Sequence, residues 1–433
     1  MFGLHKQGST LKTEFTAGLT TFFTMSYIMV VNPIILKDAG VPFELSFTAT
    51  IVATIVGTLL MGLYANYPIA IAPAMGLNAY FAYSVVKAHQ GLSYEAAFSA
   101  VFVAGLVFVL LSLTPLRTKL IEVIPDNLKN AITAGIGLFI AFIGLRLSGI
   151  IQDHPTNLVA LGNLHSPTAA LTLIGLLVTL VCLALNINGA LFIGMLVTGV
   201  IAYFNGQLTF QKGFVSLPQI PDQLVVANPV QAIGDVVHYG LYAVVFSFLL
   251  VTLFDTTGTV LGVAKQAGLM EGNKLPRGER TLIADSVATL VGSMFGTSPT
   301  SAYIESASGV ASGGRTGLTA VVVAILFALS AFFSPLISAV SGLAAITAPA
   351  LIVVGSLMVG HVAYIKWDQI DEAFPAFLVV LSMPLTSSIA TGIALGFIAY
   401  PVMKVARKQW KSVHPLVYVF AVLFLLQLIY LPH

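Results

Sequence analysis

The chain has 433 residues, of which 57% are hydrophobic and only 8% charged, and its mean hydropathy is +0.95. A soluble domain carries about 25% charged residues, so a water-soluble globule is excluded and lipid is the expected solvent. A formal net charge of +2 without a basic face also excludes nucleic acid as a partner.

A transmembrane helix needs roughly 20 mostly apolar residues. The N-terminal MFGLHKQGSTLKTEF lacks the pattern of a cleaved signal peptide, so the apolar run from Ala17 is expected to be a retained first span. Spans are predicted at 16–36, 46–64, 68–87, 96–113, 128–148, 169–186, 188–205, 240–263, 281–296, 298–312, 316–338, 343–363, 373–386 and 388–404, fourteen in all, with a further apolar stretch at 415–431. The single cysteine, Cys182, falls inside one of these runs, so no intramolecular disulfide can form and a buried apolar role is expected. Basic residues test the count. With Lys6 and Lys12 cytoplasmic, the loops after the fourth span (Arg117, Lys119, Lys129) and the eighth (Lys265, Lys274, Arg277, Arg280) fall on the same side. So does the tail with Lys404, Arg407, Lys408 and Lys411, whereas the outside segment 206–239 carries only Lys212. The loop with Lys366, Asp368, Asp371 and Glu372 is neutral to acidic, and acidic residues count little in the rule.

Two pairs of stretches repeat in the same order. FIGMLVTGVIAY (192–203) is similar to IATGIALGFIAY (389–400), and AITAGIGL (131–138) to AITAPALI (345–352). Loop lengths absorb the difference between the two offsets. Two halves of seven spans follow; because seven is odd, the second half is inverted, as in many transporters. Spans three and ten then correspond. Span three opens YPIAIAPAMGLNAYFAY, with Pro68 and Pro73, and span ten opens GTSPTSAYIESASGV, with Pro299. Such prolines disfavour helix, so each span is predicted as a short extended segment followed by a half-helix. Extended backbone at membrane depth needs burial in protein or a cavity wall. The half-helix starts are expected to offer free backbone N–H groups to a ligand.

Of the 17 Asp and Glu residues, three are predicted well inside spans: Asp255, Asp285 and Glu305. Such residues are costly in lipid and face an interior or a cavity. Asn78 stands five residues after Pro73, much as Glu305 stands six after Pro299. The stretch LFDTTGTVLG around Asp255 approaches the Asp-Thr-Gly of aspartic proteases, but a second threonine intervenes before the glycine. An intramembrane hydrolase with Asp255 and Asp285 as a proton-sharing pair lacks the flanking residues expected of that class, and Asp285 is expected to be structural. Ser301, Ser306 and Ser308 flank Glu305, yet no histidine is expected at mid-depth; His238 and His361 read as interfacial. An enzyme is therefore not expected.

At FDTTGT, TSAYIESASG and APAMGLNAYF, and at 13–33, 135–145 and 313–323, the chain resembles the AzgA-like purine permeases. These are a branch of the nucleobase–cation symporter 2 (nucleobase–ascorbate transporter) family. The resemblance implies an all-α polytopic fold of 14 spans in a 7+7 inverted repeat. A core domain (1–126 and 240–338) would move against a gate domain (127–239 and 339–433), with a homodimer joined through the gate. It implies substrate binding by Asp255, Glu305 and Asn78, with the Tyr303 ring near the base and Tyr80 or Phe81 on its other face. Some uracil and xanthine transporters of the wider family have a histidine where this chain has Thr259. The carboxylates Asp255 and Glu305 are then the expected proton carriers, since burial disfavours a charged carboxylate. The expected partners are a purine nucleobase (adenine, hypoxanthine or guanine), a coupling proton and membrane lipid. No cofactor or metal is expected, and the location is a bacterial cytoplasmic (inner) membrane with the N-terminus inside. The GLNAYF form leans toward adenine. An anion transporter of the same fold, of the sulfate or bicarbonate type, is the rival; two carboxylates aimed into the site argue against it.

Overall fold

The computed structural model describes residues 2–87, 91–114, 123–210, 213–218, 225–271 and 275–430. Arg117, Lys119, Lys212 and Lys274, on which the orientation argument partly leans, and Leu431, the end of the last apolar stretch, lie outside the described residues. Nine helices among the described residues are long and apolar enough to cross a membrane.

The first apolar run forms α1 (Leu11–Met25) and α2 (Ile28–Asp38), broken at Ser26-Tyr27. Pro33 lies inside α2, and a proline crowds the turn before it and removes one N–H. After α3 (Phe43–Leu60) comes a three-residue strand, β1 (Ile71–Pro73), and then α4 (Met75–Ala79), which continues as a wider coil to Val86. There follow α5 (Tyr94–Ser112) and α6 (Asp126–Leu147). The hairpin β2 (Ile151–His154) with β3 (Leu158–Leu161) occupies a loop for which the sequence predicts no strand. The first half ends with α7 (Pro167–Ala184) and α8 (Ala190–Phe204), before a short α9 (Ala232–His238).

The chain continues with a second series of helices and a further short strand. It has α10 (Tyr242–Gln266), α11 (Gly278–Phe295), the strand β4 (Thr300–Ala302) and the short α12 (Ser306–Ala311). Next come α13 (Gly317–Ser330), α14 (Ser334–Ser341) and α15 (Ala344–Val359), and finally α16 (Ile370–Thr386), α17 (Ile389–Ala406) and α18 (Pro415–Tyr430). Large apolar side chains point outward along several helices, as at Leu173, Leu177 and Leu180 of α7. Water would not tolerate such continuous apolar surface, but lipid does.

β1 and β4 pair antiparallel inside the protein, Ile71 opposite Ala302 and Pro73 opposite Thr300. The ladder extends by Ala74 N–H to the Pro299 carbonyl and Tyr303 N–H to the Ala70 carbonyl, both at 2.9 Å. Backbone at this depth needs every polar group paired, and hydroxyls from neighbouring elements supply what the short ladder lacks. The Thr58 hydroxyl accepts from Ile71 N–H and donates to its carbonyl, each at 3.0 Å. The Thr289 and Ser306 hydroxyls accept from the N–H groups of Thr300 and Ala70, each at 3.0 Å. The hydroxyls of Thr58, Thr289 and Ser306 therefore solvate the backbone of the two short strands.

Two expectations about charge are corrected. Glu14, Asp371 and Glu372 are buried too, because α1 begins at Leu11 and α16 at Ile370, ahead of the predicted ends. Lys404, assigned to the tail, lies within α17 and is buried. Its ammonium meets Asp371 and Glu372 at 2.6 Å each, and the Arg407 guanidinium also reaches Asp371, so this cluster balances its own charges. Glu14 accepts from the Arg315, Thr316 and Thr319 N–H groups at 3.1, 3.4 and 3.2 Å and from the Thr319 hydroxyl at 2.5 Å. It thereby caps α13 from α1. Glu14→Ala leaves these buried donors unsatisfied and should destabilise the protein by about 3 kcal/mol or more. Melting in detergent checks this; Glu14→Gln, which keeps an acceptor, should lose less.

Candidate functional site

A cavity of about 450 Å³ opens where the paired strands meet α10. That is a size suited to a small organic ligand, whose pockets span roughly 300–1,000 Å³. From α10 it is lined by Asp255, Gly258 and Thr259, which share one helical face at spacings of three and four. Gly258 leaves open space there, since a Cβ at this position would meet nothing within 4 Å. The two residues after Asp255 point elsewhere. The Thr256 hydroxyl donates to Asp285 and accepts from Ala302 N–H at 3.3 Å, fastening α10 to α11 and β4. The Thr257 hydroxyl donates back to the Leu253 carbonyl at 2.6 Å. The first threonine, Thr256, thus locks the register that aims Asp255 into the cavity, while the second, which spoils a protease turn, bonds within its own helix. Ser301, on β4, is the hydrogen-bonding neighbour of Asp255.

Glu305 sits immediately before α12, and its carboxylate accepts from the Tyr27 hydroxyl at 2.6 Å. Tyr27 stands at the break between α1 and α2, so the interruption of the first span brings its phenol to the cavity wall. The Tyr303 ring lines the cavity, while its hydroxyl donates to the Pro73 carbonyl at 2.6 Å. That bond uses the hydroxyl proton and leaves the ring as the exposed surface. Ala74, Met75 and Gly76 complete this part of the wall; Thr133 of α6, with Val354, Leu357 and Met358 of α15 and the adjoining His361, forms the remainder.

The structure thus gathers Asp255, Glu305 and Tyr303 around one space and places three other predicted residues outside its lining. Asn78 is fully buried and donates to Asn32 Oδ1 at 2.9 Å; Asn32 in turn donates to the hydroxyls of Thr50 and Thr297 at 2.7 and 2.8 Å. Tyr80 packs edge-on to Phe248, and Phe81 stacks on Phe98 with ring centres 4.4 Å apart. The expected free N–H groups at the second half-helix are also taken: those of Ser306 and Ala307 bond the Tyr303 and Ile304 carbonyls at 3.1 and 2.9 Å. Asp285 does not reach the cavity either. The Thr256 hydroxyl and, at 2.7 Å, the Thr300 hydroxyl both donate to it, so no aspartate pair forms with Asp255. Sequence reasoning missed Tyr27 and read His361 as interfacial. The proline six residues after Tyr27 is the one local sign that its helix is interrupted.

Two carboxylates on a half-buried wall, inside a bundle whose outer surface is apolar, define a membrane carrier of small polar molecules rather than a hydrolase. Comparison with known proteins gives the class its name. The family model described as "Permease family" (Xan_ur_permease) matches residues 12–395. The guanine/hypoxanthine permease PbuO of Bacillus subtilis (strain 168) is 66% identical over 429 residues, 99% of each chain. The adenine permease AdeP of Escherichia coli (strain K12) is 43% identical over 432 residues, 100% of this chain and 96% of that one. Among solved structures, the transmembrane domain of the cyanobacterial bicarbonate transporter BicA superposes with a TM-score of 0.66. It is 16% identical and covers 88% of this chain and 97% of that one, a likeness of fold. The chain belongs to the permease family, within the nucleobase–cation symporter 2 group that holds the AzgA-like purine permeases. It is a multi-pass membrane protein and a permease, not an enzyme.

Proposed function

We propose that the protein imports purine nucleobases by proton symport. The observation that carries the reading is the convergence of Asp255 and Glu305 on one cavity in a chain so close to relatives named as purine permeases. A purine presents N–H donors along its edges, and an ionised carboxylate accepts two at once. Asp255 and Glu305 take these donors, and the Tyr303 ring lies against the base. Asn78, Tyr80 and Phe81 act from behind the wall by holding the half-helix that carries Met75 and Gly76. At least one carboxylate takes a proton from outside and releases it inside. The relative named for guanine and hypoxanthine is 66% identical, which supports 6-oxopurines as the preferred substrates over the adenine suggested by GLNAYF.

For the architecture we propose 14 spans in two inverted halves of seven, the core (1–126, 240–338) sliding as an elevator against the gate (127–239, 339–433). The antiparallel pairing of β1 with β4 supports the inversion, since each opens the corresponding segment of its half. A homodimer through the gate and insertion in the bacterial cytoplasmic membrane, N-terminus inside, complete the proposal. The bicarbonate-transporter fold raises an anion as the rival substrate. Among the described lining residues there is no lysine or arginine to attract one.

Uptake of labelled hypoxanthine, guanine and adenine, with and without a protonophore, tests the reading. Accumulation above the external level that collapses with the protonophore is expected. Saturable bicarbonate or sulfate uptake without nucleobase uptake overturns the substrate, and accumulation indifferent to the protonophore overturns the coupling.

A further inference from the structure

The part of the cavity formed by α6 and α15 is apolar at Val354, Leu357 and Met358, and its Thr133 hydroxyl is occupied in donating to the Lys129 carbonyl at 3.1 Å. His361 is the exception. It follows Val354, Leu357 and Met358 at helical spacing, so its half-buried ring shares their face. Its Nδ1 lies 3.4 Å from Asn130 Oδ1, one turn before Thr133 on α6. The other edge of the ring, with Nε2, is free of any such neighbour among the described residues.

We propose that His361 is a substrate-contact residue that meets the edge of the base turned away from Asp255 and Glu305. A neutral imidazole has one donor and one acceptor, and the partner of one nitrogen sets the sense of the other. With Nδ1–H donating to Asn130 Oδ1, Nε2 is an acceptor, suited to the exocyclic N–H of a 6-aminopurine. With the Asn130 amide turned over, its Nδ2 donates to Nδ1 and Nε2–H becomes a donor, suited to the carbonyl of a 6-oxopurine. The His361–Asn130 pair therefore adapts one cavity to both classes of purine. This inference rests on the nucleobase reading above and names a further contact of the same site.

Two measurements test it. In uptake assays, His361→Ala should raise KM for hypoxanthine and for adenine by roughly fivefold or more, the size of one lost hydrogen bond, with maximal rate kept. His361→Gln, which retains a donor and an acceptor, should restore most of the affinity. On the wild-type protein, diethyl pyrocarbonate should modify His361, and hypoxanthine should slow that modification roughly threefold or more, as expected when a bound base covers the ring. The exposed His165 and His238 should be unaffected. The protection assay decides the matter if the variants do not reach the membrane. Unchanged KM in His361→Ala, or modification of His361 indifferent to hypoxanthine, overturns the proposal. If wild-type protein takes up and binds no nucleobase, the functional reading itself fails, and the two failures are distinct.

Discussion

Asp255→Asn and Glu305→Gln should each lower nucleobase uptake by about 100-fold or more, equivalent to ~2.7 kcal/mol, at wild-type levels of protein in the membrane. Each substitution keeps the shape of the side chain. It replaces half of an acceptor-only carboxylate by an N–H₂ donor, which faces the N–H groups of the base and repels them. With the base seated against it, a mispaired donor loses the partner it was placed to meet. The two variants separate on a second readout. Glu305→Gln retains a carbonyl oxygen for the Tyr27 hydroxyl, so its melting temperature should stay near that of the wild type. Asp255 lies one residue from the Thr256–Asp285 contact, so its variant is the stricter test of local order. Counterflow of nucleobase across proteoliposomes without a proton gradient then distinguishes binding from coupling. A variant that exchanges substrate but no longer accumulates it has lost the proton carrier. Full accumulation by both variants overturns the assignment of the coupling proton to these carboxylates.

Gly355→Val should reduce the amount of folded protein several-fold and lower melting of what remains. Among the described elements the α6–α15 pair is the most extensively packed, and it closes on glycine. A Cβ at Gly355 would lie 2.4 Å from the Gly137 carbonyl oxygen and 2.6 Å from the Ala141 nitrogen. Both are backbone atoms within a helix, so no rotamer change relieves the contact and the two helices must separate. Overpacking typically costs about 1–3 kcal/mol, and here the displaced helix also carries Val354 and Met358 of the cavity wall. Substrate affinity should fall along with stability. Gly360→Ala is the control: a Cβ there meets nothing within 4 Å. Normal melting of Gly355→Val would overturn the view that these helices need glycine where they touch.

The apolar runs announced most helices because lipid-facing surface must be apolar whatever it packs against. Pro68, Pro73 and Pro299 announced the two extended segments because a missing N–H and a fixed φ are local properties. Helix ends were less visible. Glu14 and Asp371 each lie within a helix beyond the predicted limit, and Lys404 is buried at the limit itself, because capping donors or opposite charges compensate them, and those partners sit on other helices. The candidate site divides in the same way. Asp255 and Glu305 stood out because a carboxylate in an apolar run has few explanations. Asn78 also stood out, yet it bonds Asn32 beside the site; its spacing after Pro73 fixed its depth but not which way it points. His361 was hidden because a histidine near a span end has an ordinary interfacial explanation, and Tyr27 because an aromatic in mid-span reads as core or lipid-facing. Only the break at Ser26-Tyr27 and the seating of α15 against α6 bring them to the cavity.

The little sheet of β1 and β4 also sets a timetable for biogenesis. Tyr303 and Pro73, joined by a hydrogen bond beside the cavity, are 230 residues apart in the chain. At roughly 5–20 residues per second, a ribosome needs on the order of 10–50 s to make what lies between them. Throughout that interval the Ile71–Pro73 segment is in the membrane or its translocation machinery with its ladder partners not yet synthesised. Exposed strand edges in lipid are unfavourable, so the nascent first half must be sheltered, by the insertion apparatus or by its own helices, until the second arrives. Truncation after α9 should therefore yield a fragment that is captured by membrane quality control rather than a stable half-transporter.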